Sequence, residues 1–270
     1  MEISFIGGGN MAAALIGGMV GRGFDAASIR VIDPVAGARE RLVRDYGVRC
    51  YEALPADTAL GEVIVLAVKP QQMREACAAL SGRLRDELIL SIAAGVRLDD
   101  LSRWLGGHAR LARCMPNTPA LIGMGITGLY AGAAVSATQR EQAQRILEAV
   151  GRVVWVDAED ALDAVTAVSG SGPAYVFYFI EAMQRAAVDA GLDAEAARAL
   201  VLETFRGATE LAARSDEPVS LLRERVTSKG GTTERALATL QQHAVADAIV
   251  RAIDAARARA AELGRELGKD

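Results

Sequence analysis

The sequence predicts an α/β protein in two parts, a doubly wound sheet over residues 1–160 followed by an all-α region over residues 161–270. Three observations predict it. Short β-branched runs alternate with longer segments of helical spacing in the first half, a glycine turn joins the first run to the first helical segment, and strand signals vanish beyond residue 160. The 270 residues, 51% of them apolar, suffice for one large or two ordinary domains with their own cores and exclude a disordered chain.

In chain order, the strand candidates are Ile3 to Ile6, Ile29 to Ile32, Val63 to Val68, Leu88 to Ile92, Leu111 to Met115 and Val153 to Val156. Most are continuous apolar runs, as expected of parallel strands covered on both faces. Asn10 to Val20, Ala38 to Tyr46 and Gln71 to Leu80 have helical spacing and complete βαβ units. Beyond residue 160, helices are expected over Asp163 to Val168, Ala174 to Gly191, Ala194 to Ala213, Leu221 to Arg225 and Thr233 to Leu267, with Gly and Pro at the joints. Gly191 fits a helix C-cap, Asp193 the N-cap of the next helix, and Pro218 a short loop before another. Around the last helix, Arg251, Arg257, Arg259, Glu262 and Arg265 read as a solvated face.

Thirty basic side chains against 34 acidic ones, a formal net charge of -4, provide no basic field for a nucleic-acid backbone or an anionic membrane, so neither is expected as a partner. The most apolar stretch, Pro173 to Met183, contains Glu181 and falls short of the roughly 20 residues that cross a bilayer. Met1 to Ile6 run straight into the glycine turn, which leaves no room for an export signal. Cys50, Cys77 and Cys114 contain no C-x-x-C and cannot all pair; they read as reduced thiols, and the expected location is cytoplasmic. His108 and His243 lie outside every motif, so no metal centre is expected.

Gly7-Gly8-Gly9-Asn10-Met11-Ala12 matches G-x-G-x-x-[GA] between a strand and a helix. Gly7 permits the tight turn, Gly9 lets a pyrophosphate approach the backbone, and Ala12 lets the helix pack closely on the strand. Free N–H groups and the helix dipole then hold the phosphates. Asp33, at the end of the second strand candidate, is placed to accept hydrogen bonds from an adenosine ribose and to repel a 2′-phosphate. Arg30, Arg39 and Arg41 offset that repulsion, so the residues admit NADH and NADPH alike.

Five further motifs follow: Ala67-Val68-Lys69-Pro70-Gln71, Ser91-Ile92-Ala93-Ala94-Gly95, Arg113 to Ala120 with its Met115-Pro116-Asn117-Thr118-Pro119 core, Ser169 to Tyr175, and Val226-Thr227-Ser228-Lys229-Gly230-Gly231-Thr232-Thr233. In this order and spacing the chain, from Ile3 to about Leu240, resembles the pyrroline-5-carboxylate reductases, and the last motif is close to a signature of that family. The resemblance implies a Rossmann-type domain, then a helical domain that pairs in a homodimer, with rings of dimers in some members. It implies NADP(H) or NAD(H) as cofactor, a small-molecule substrate, and an active site where the cofactor and the helical domain meet.

The same resemblance assigns Ile6, Gly7, Gly8, Gly9, Asn10, Met11 and Asp33 to the cofactor, with Ala67, Val68, Lys69, Pro70, Ala93, Ala94 and Asn117 also on its side. Ser228, Gly231, Thr232 and Thr233 are assigned to the substrate carboxylate and ring nitrogen, with Thr233 the partner of that nitrogen, and Glu159 aligns with a position near the substrate. On their own terms, the residues from Ser228 to Thr233 combine hydroxyls and glycines ahead of a helix, so that their N–H groups form a nest for an anion. Lys229 stands where proline is common in the family, and its ammonium is expected to face water. Ser169 to Pro173 suit close packing at an interface as well as substrate contact. A reductase with a catalytic lysine, such as a β-hydroxyacid dehydrogenase, another imine reductase, and a non-catalytic dinucleotide-binding regulator are the competing readings; retention of Ser228, Thr232 and Thr233 argues against the last.

Overall fold

The computed structural model describes residues 1–55 and 59–269. The chain divides into two compact units, Met1–Ser171 with Ala256–Asp270, and Gly172–Ala255.

The described residues of the first unit form one eight-stranded sheet. Its strands are β1 (Ile3–Ile6), β2 (Ile29–Ile32), β3 (Arg49–Tyr51), β4 (Val63–Leu66), β5 (Leu88–Ser91), β6 (Leu111–Met115), β7 (Gly125–Ala131) and β8 (Gly151–Trp155), in the order β3-β2-β1-β4-β5-β6-β7-β8. From β3 to β6 all pairs are parallel; β7 runs antiparallel to β6, and β8 lies parallel to β7. The six strands expected from apolar runs are all present. β3 is a three-residue edge strand, too short to read from sequence. β7 is hidden by Gly125 and Gly128, which lack strand propensity but are needed for packing: a Cβ at Gly125 would lie 2.9 Å from Ala120 Cα, and one at Gly128 2.6 Å from the Val165 side chain.

The helices of this unit are α1 (Asn10–Gly21), α2 (Ala36–Tyr46), α3 (Met73–Leu80), α4 (Leu98–Trp104), α5 (Ala137–Glu148) and α6 (Ala161–Val165). Alternate strand residues face opposite layers. Phe5, Val31 and Val65 pack in one core with Leu15 and Ile16 of α1, Leu42 of α2 and Ile146 of α5. Ile64, Leu66 and Ile89 pack in the other with Met73 and Leu80 of α3 and Leu101 of α4. Each fully buried Leu or Ile of this kind contributes about 2 kcal/mol, and two-sided burial explains why the strands read as unbroken apolar runs. The sequence reading omitted α4 and α5. For α5 a signal existed: Ser136 and Gln139 form a complete capping box.

In the second unit are α7 (Gly172–Asp189), α8 (Ala194–Arg214), α9 (Val219–Arg225), α10 (Thr232–Gln242) and the first part of α11 (Val245–Leu267). Gly191, at φ 99°, closes α7 through Gly191 N to Val188 O, and Asp193 caps α8 by accepting from Ala196 N at 2.9 Å. The single helix expected from Thr233 to Leu267 is two helices. Its break falls at His243 and Ala244, with Ala244 at φ 50°, and no Gly or Pro marks it. Apolar side chains remain exposed on several helices, including Phe177 (65%) and Tyr178 (71%) of α7 and Leu211 of α8.

The compact units part between Ser171 and Gly172, whereas the sequence places the domain boundary near residue 160. The reason is α6, whose Val165 packs over Gly128, and a π-turn over Thr166–Gly170 that continues it. Residues 256–270 also belong to the first unit. Leu267 packs in the core of α3 and α4, Arg103 Nη2 donates to Gly268 O at 2.9 Å, and Ala260 and Gly264 are buried. A Cβ on Gly264 would lie 3.2 Å from Gly95 O, so the helix abuts the β5–α4 loop directly. On the other side of that helix Arg259 pairs with Glu262 and Glu266, as a solvated face does.

Candidate active site

The first unit builds an open glycine turn at the exit of β1. Gly7 turns the chain at φ 102° while its N–H donates to Ile32 O at 2.8 Å. A side chain there is excluded, because a Cβ would lie 2.7 Å from Ala67 O. Gly8 is buried beneath the turn; Gly9 and Asn10 are exposed, and a Cβ at Gly9 would meet no heavy atom within 4 Å. Gly9 caps α1 without any side-chain hydrogen bond, and the first amide bonded back to it is that of Ala13. Open space above uncapped helix amides fits an anionic diphosphate. Ile6 is nearly buried and Met11 half-buried beside the turn.

Asp33 follows β2 and is buried. Its Oδ2 accepts from Gly8 N at 2.6 Å and its Oδ1 from Val35 N at 2.8 Å, so the carboxylate ties the glycine turn to the start of α2. The sequence placed Asp33 at the ribose; its geometry adds a role in holding the turn.

Beyond the neighbouring strands lie the other residues assigned to the cofactor. Ala67 N donates to Ile6 O, Val68 is half-buried, and Lys69 is exposed ahead of a short turn begun by Pro70. Ala93 is buried, with its N–H on Ser91 Oγ, and Ala94 is half-buried. Asn117 is a strut: Nδ2 donates to Ser169 O at 3.2 Å and Oδ1 accepts from Ile126 N at 3.0 Å. Its side-chain amide is therefore committed to the backbone of its own unit.

Glu159 is held through one carboxylate oxygen. Its Oε1 accepts from Leu98 N at 2.8 Å and pairs with the buried Arg113 at 2.5 Å. Next to it Arg97 binds Asp163 at 2.9 Å and also pairs with Asp160. The acidic segment from Asp157 to Asp163 is thus only partly a solvated loop, and this geometry gives Glu159 a structural role through Oε1 beside the substrate contact expected for it.

In the second unit, the turn before α10 brings Ser228, Gly231, Thr232 and Thr233 together. Gly230 adopts φ 72°, Gly231 N donates to Ser228 O at 3.0 Å, and a Cβ at Gly231 would lie 2.5 Å from Ser228 Oγ. Ser228 and Thr232 are exposed and Thr233 half-buried. No side chain caps α10 at Gly231. One donor of the nest is already used, since Glu234 Oε2 accepts from Gly230 N at 2.7 Å. The sequence reading missed this role of Glu234; its signal was an acidic residue at the third helical position, half of a capping box. Lys229 is exposed, as expected.

The three thiols are poorly suited to ionise. Burial pushes the Cys77 thiol up to about 12 and that of Cys114 higher still, while Cys50 is raised by its partial burial. His108 Nε2 lies 2.8 Å from Glu87 O. Among the described residues, no group of three or more His, Cys, Asp and Glu is placed to hold a metal ion, and no helix is long and apolar enough to cross a membrane.

Comparison with known proteins gives two family matches: residues 159–263 match pyrroline-5-carboxylate reductase dimerisation, and residues 2–95 match NADP oxidoreductase coenzyme F420-dependent. A pyrroline-5-carboxylate reductase of Pseudomonas aeruginosa is 47% identical over 269 residues, covering 99% of this chain and 98% of its own. The structure of a pyrroline-5-carboxylate reductase from Coxiella burnetii superposes with a TM-score of 0.92 at 39% identity, covering 97% of this chain and 98% of that one. The crystal structure of Plasmodium falciparum pyrroline carboxylate reductase with NADP bound superposes with a TM-score of 0.87 at 28% identity, covering 98% of each chain.

Proposed function

The chain belongs to the pyrroline-5-carboxylate reductase family, and from this we infer that it reduces the cyclic imine 1-pyrroline-5-carboxylate to L-proline, the last step of proline biosynthesis, with a nicotinamide dinucleotide. The cofactor supplies the hydride. It goes to the imine carbon as a proton reaches the ring nitrogen, so the C=N double bond becomes a C–N single bond with one new C–H and one new N–H bond while the nicotinamide is oxidised. Cofactor binding falls to the turn from Ile6 to Met11 with Asp33, and to Ala67, Val68, Lys69, Pro70, Ala93, Ala94 and Asn117. Asn117 acts through its backbone, since its amide is already bonded.

The observation that carries the substrate reading is the α10 turn, where hydroxyls crowd an uncapped helix N-terminus behind a left-handed glycine. A carboxylate is the anion such a turn holds, with Ser228, Gly231 and Thr232 around it. Thr233 Oγ is then the hydrogen-bond partner of the ring nitrogen. Positioning is the main demand, because a protonated imine accepts hydride readily once the reacting carbons are about 3 to 3.5 Å apart.

Addition of 1-pyrroline-5-carboxylate to enzyme and NADPH or NADH is expected to bleach the nicotinamide absorbance. Thr233→Ala should lower kcat/KM roughly tenfold, the worth of one hydrogen bond to a partly charged group. Ser228→Ala should act mainly on KM. Full activity of Thr233→Ala would remove Thr233 from the reaction, and no oxidation by the native enzyme would remove the assigned activity.

We assign residues 1–160 to dinucleotide binding and 161–270 to dimerisation and substrate. The family match that begins at residue 159 supports this division. A homodimer is supported by the second unit, where α7, α10 and α11 enclose an apolar groove of about 540 Å³ lined by Tyr178, Phe179, Met183, Leu240 and Ile249. A contiguous apolar surface of this kind marks an interaction site. Sedimentation should give a dimer or a multiple of it, a ring of dimers among the multiples; a monomer at micromolar concentration would count against the pairing. A cytoplasmic setting is supported by the free state of Cys50, Cys77 and Cys114.

A further inference from the structure

The β5–α4 loop carries Ala93 and Ala94 through a tight turn whose two ends are tied. On the β5 side Ile92 N donates to Leu66 O and Ala93 N to Ser91 Oγ, and at the start of α4 Leu98 N donates to Glu159 Oε1. The apex is different. Among the described residues, the backbone of Ala94 and Gly95 makes no hydrogen bond. What meets the apex is α11, in van der Waals contact. A Cβ on Gly95 would lie 3.1 Å from Leu267 Cδ1 and 3.5 Å from Gly264 N, and one on Gly264 would lie 3.2 Å from Gly95 O. Gly95 and Gly264 are both buried.

The α11 side of that contact is fixed independently. Leu267 packs against the core of α3 and α4, Arg103 Nη2 donates to Gly268 O at 2.9 Å, and Gly268 N donates to Gly264 O at 3.2 Å. A pinned turn of helix therefore stands as a stop behind a loop apex that has no hydrogen bonds of its own. Such an apex goes where packing puts it, because groups at interior density resist even small displacements.

We propose that Gly264, Leu267 and Gly268 of α11 are positioning residues for the reduction: they set where the Ala93–Ala94 apex stands against the nicotinamide, and through it the distance that the hydride crosses. The proposal rests on the assignment of Ala93 and Ala94 to the cofactor above. Hydride transfer is sensitive to such placement, since a misplacement of about 1 Å costs on the order of a hundredfold in rate. None of the three residues needs to touch either reactant.

Steady-state kinetics with 1-pyrroline-5-carboxylate and NADPH, repeated with NADPH deuterated at the transferred position, are measured per folded enzyme. The proteins are native enzyme, Gly264→Ala, Leu267→Ala, Leu267→Met, Ile146→Val and Ala94→Val, with thermal melts in parallel. Gly264→Ala adds one methyl group against Gly95 O while favouring the helix itself, so its melting temperature should stay close to native. Its kcat should fall roughly three- to tenfold, with a larger deuterium isotope effect and a KM for the imine within about twofold of native. Leu267→Ala, which removes the stop, should lower kcat similarly and melt earlier; Leu267→Met, which keeps the volume, should restore kcat. Ile146→Val destabilises the opposite layer of the sheet and should leave kcat and the isotope effect native. Native kcat and isotope effect in either Gly264→Ala or Leu267→Ala would overturn the positioning role, as would a loss in Ile146→Val that follows melting in the same proportion. Ala94→Val should raise the KM for NADPH, and native kinetics there would overturn the cofactor assignment and the positioning role together. Altered kinetics in Ala94→Val beside native kinetics in Gly264→Ala would strike the positioning role alone.

Discussion

Gly7→Ala is expected to destabilise the first unit by about 3 kcal/mol and to remove measurable dinucleotide binding, the sum of two separate costs. The first is conformational: Gly7 sits at φ 102°, where an L residue costs about 1–2 kcal/mol. The second is steric. The new Cβ would stand 2.7 Å from Ala67 O and 2.8 Å from Ala67 C, and these are backbone atoms that cannot rotate away. Relief requires the exits of β1 and β4 to separate, an overpacking cost of about 1–3 kcal/mol. Any such movement also tilts the start of α1 and spoils the open space above Gly9. Gly9→Ala is the contrast. Gly9 has φ -67° and its Cβ would meet nothing within 4 Å, so stability should hold within about 0.5 kcal/mol while the methyl group obstructs the phosphates. Thermal melting and NADP+ titration of both variants provide the check. A Gly7→Ala protein that melts like the native one would mean the turn is more compliant than its contacts indicate.

Glu159→Ala carries the second large effect, and it falls on stability. Arg113 has a side-chain exposure of 4%, and Glu159 is its carboxylate partner, at 2.5 Å. Arg113 Nε is already without a partner. Removing the carboxylate strands a buried cation and also frees the Leu98 amide at the start of α4, a loss of about 3 kcal/mol. The melting temperature should fall by roughly 6–12 °C for a unit of this size. The KM for pyrroline-5-carboxylate should stay near the native value at a temperature where the variant is folded. A raised KM with unchanged melting would put Glu159 back at the substrate.

How far the sequence could be read follows from the physics of each element. Strands covered on two faces are legible because every residue of β1, β2, β4 and β5 is apolar or enclosed. β7 is not, because its glycines answer to Ala120 and Val165, close neighbours in space that lie outside the strand's own pattern. The α10–α11 break is illegible because Ala244 takes a left-handed conformation that alanine does not advertise. At the site, the glycine turn and the hydroxyl-rich turn were legible because local backbone geometry demands those residue types. Glu159, Asn117 and Asp33 were legible only as polar residues within motifs. Their partners, Arg113, Ser169 and Gly8, come from other segments, and pairing across the fold decides what each carboxylate or amide has left to offer a ligand.

The return of residues 256–270 to the first unit has a consequence for biosynthesis. Synthesis proceeds from the N-terminus, and sheet strands β1 to β8 leave the ribosome long before Gly264, Leu267 and Gly268 exist. Until then the β5–α4 loop that carries Ala93 and Ala94 lacks its abutment, and part of the α3–α4 layer stays open to solvent. A nascent or prematurely terminated chain therefore holds a nearly finished sheet whose β5–α4 loop is unsupported, and the last turn of α11 to be made is the one that locks it.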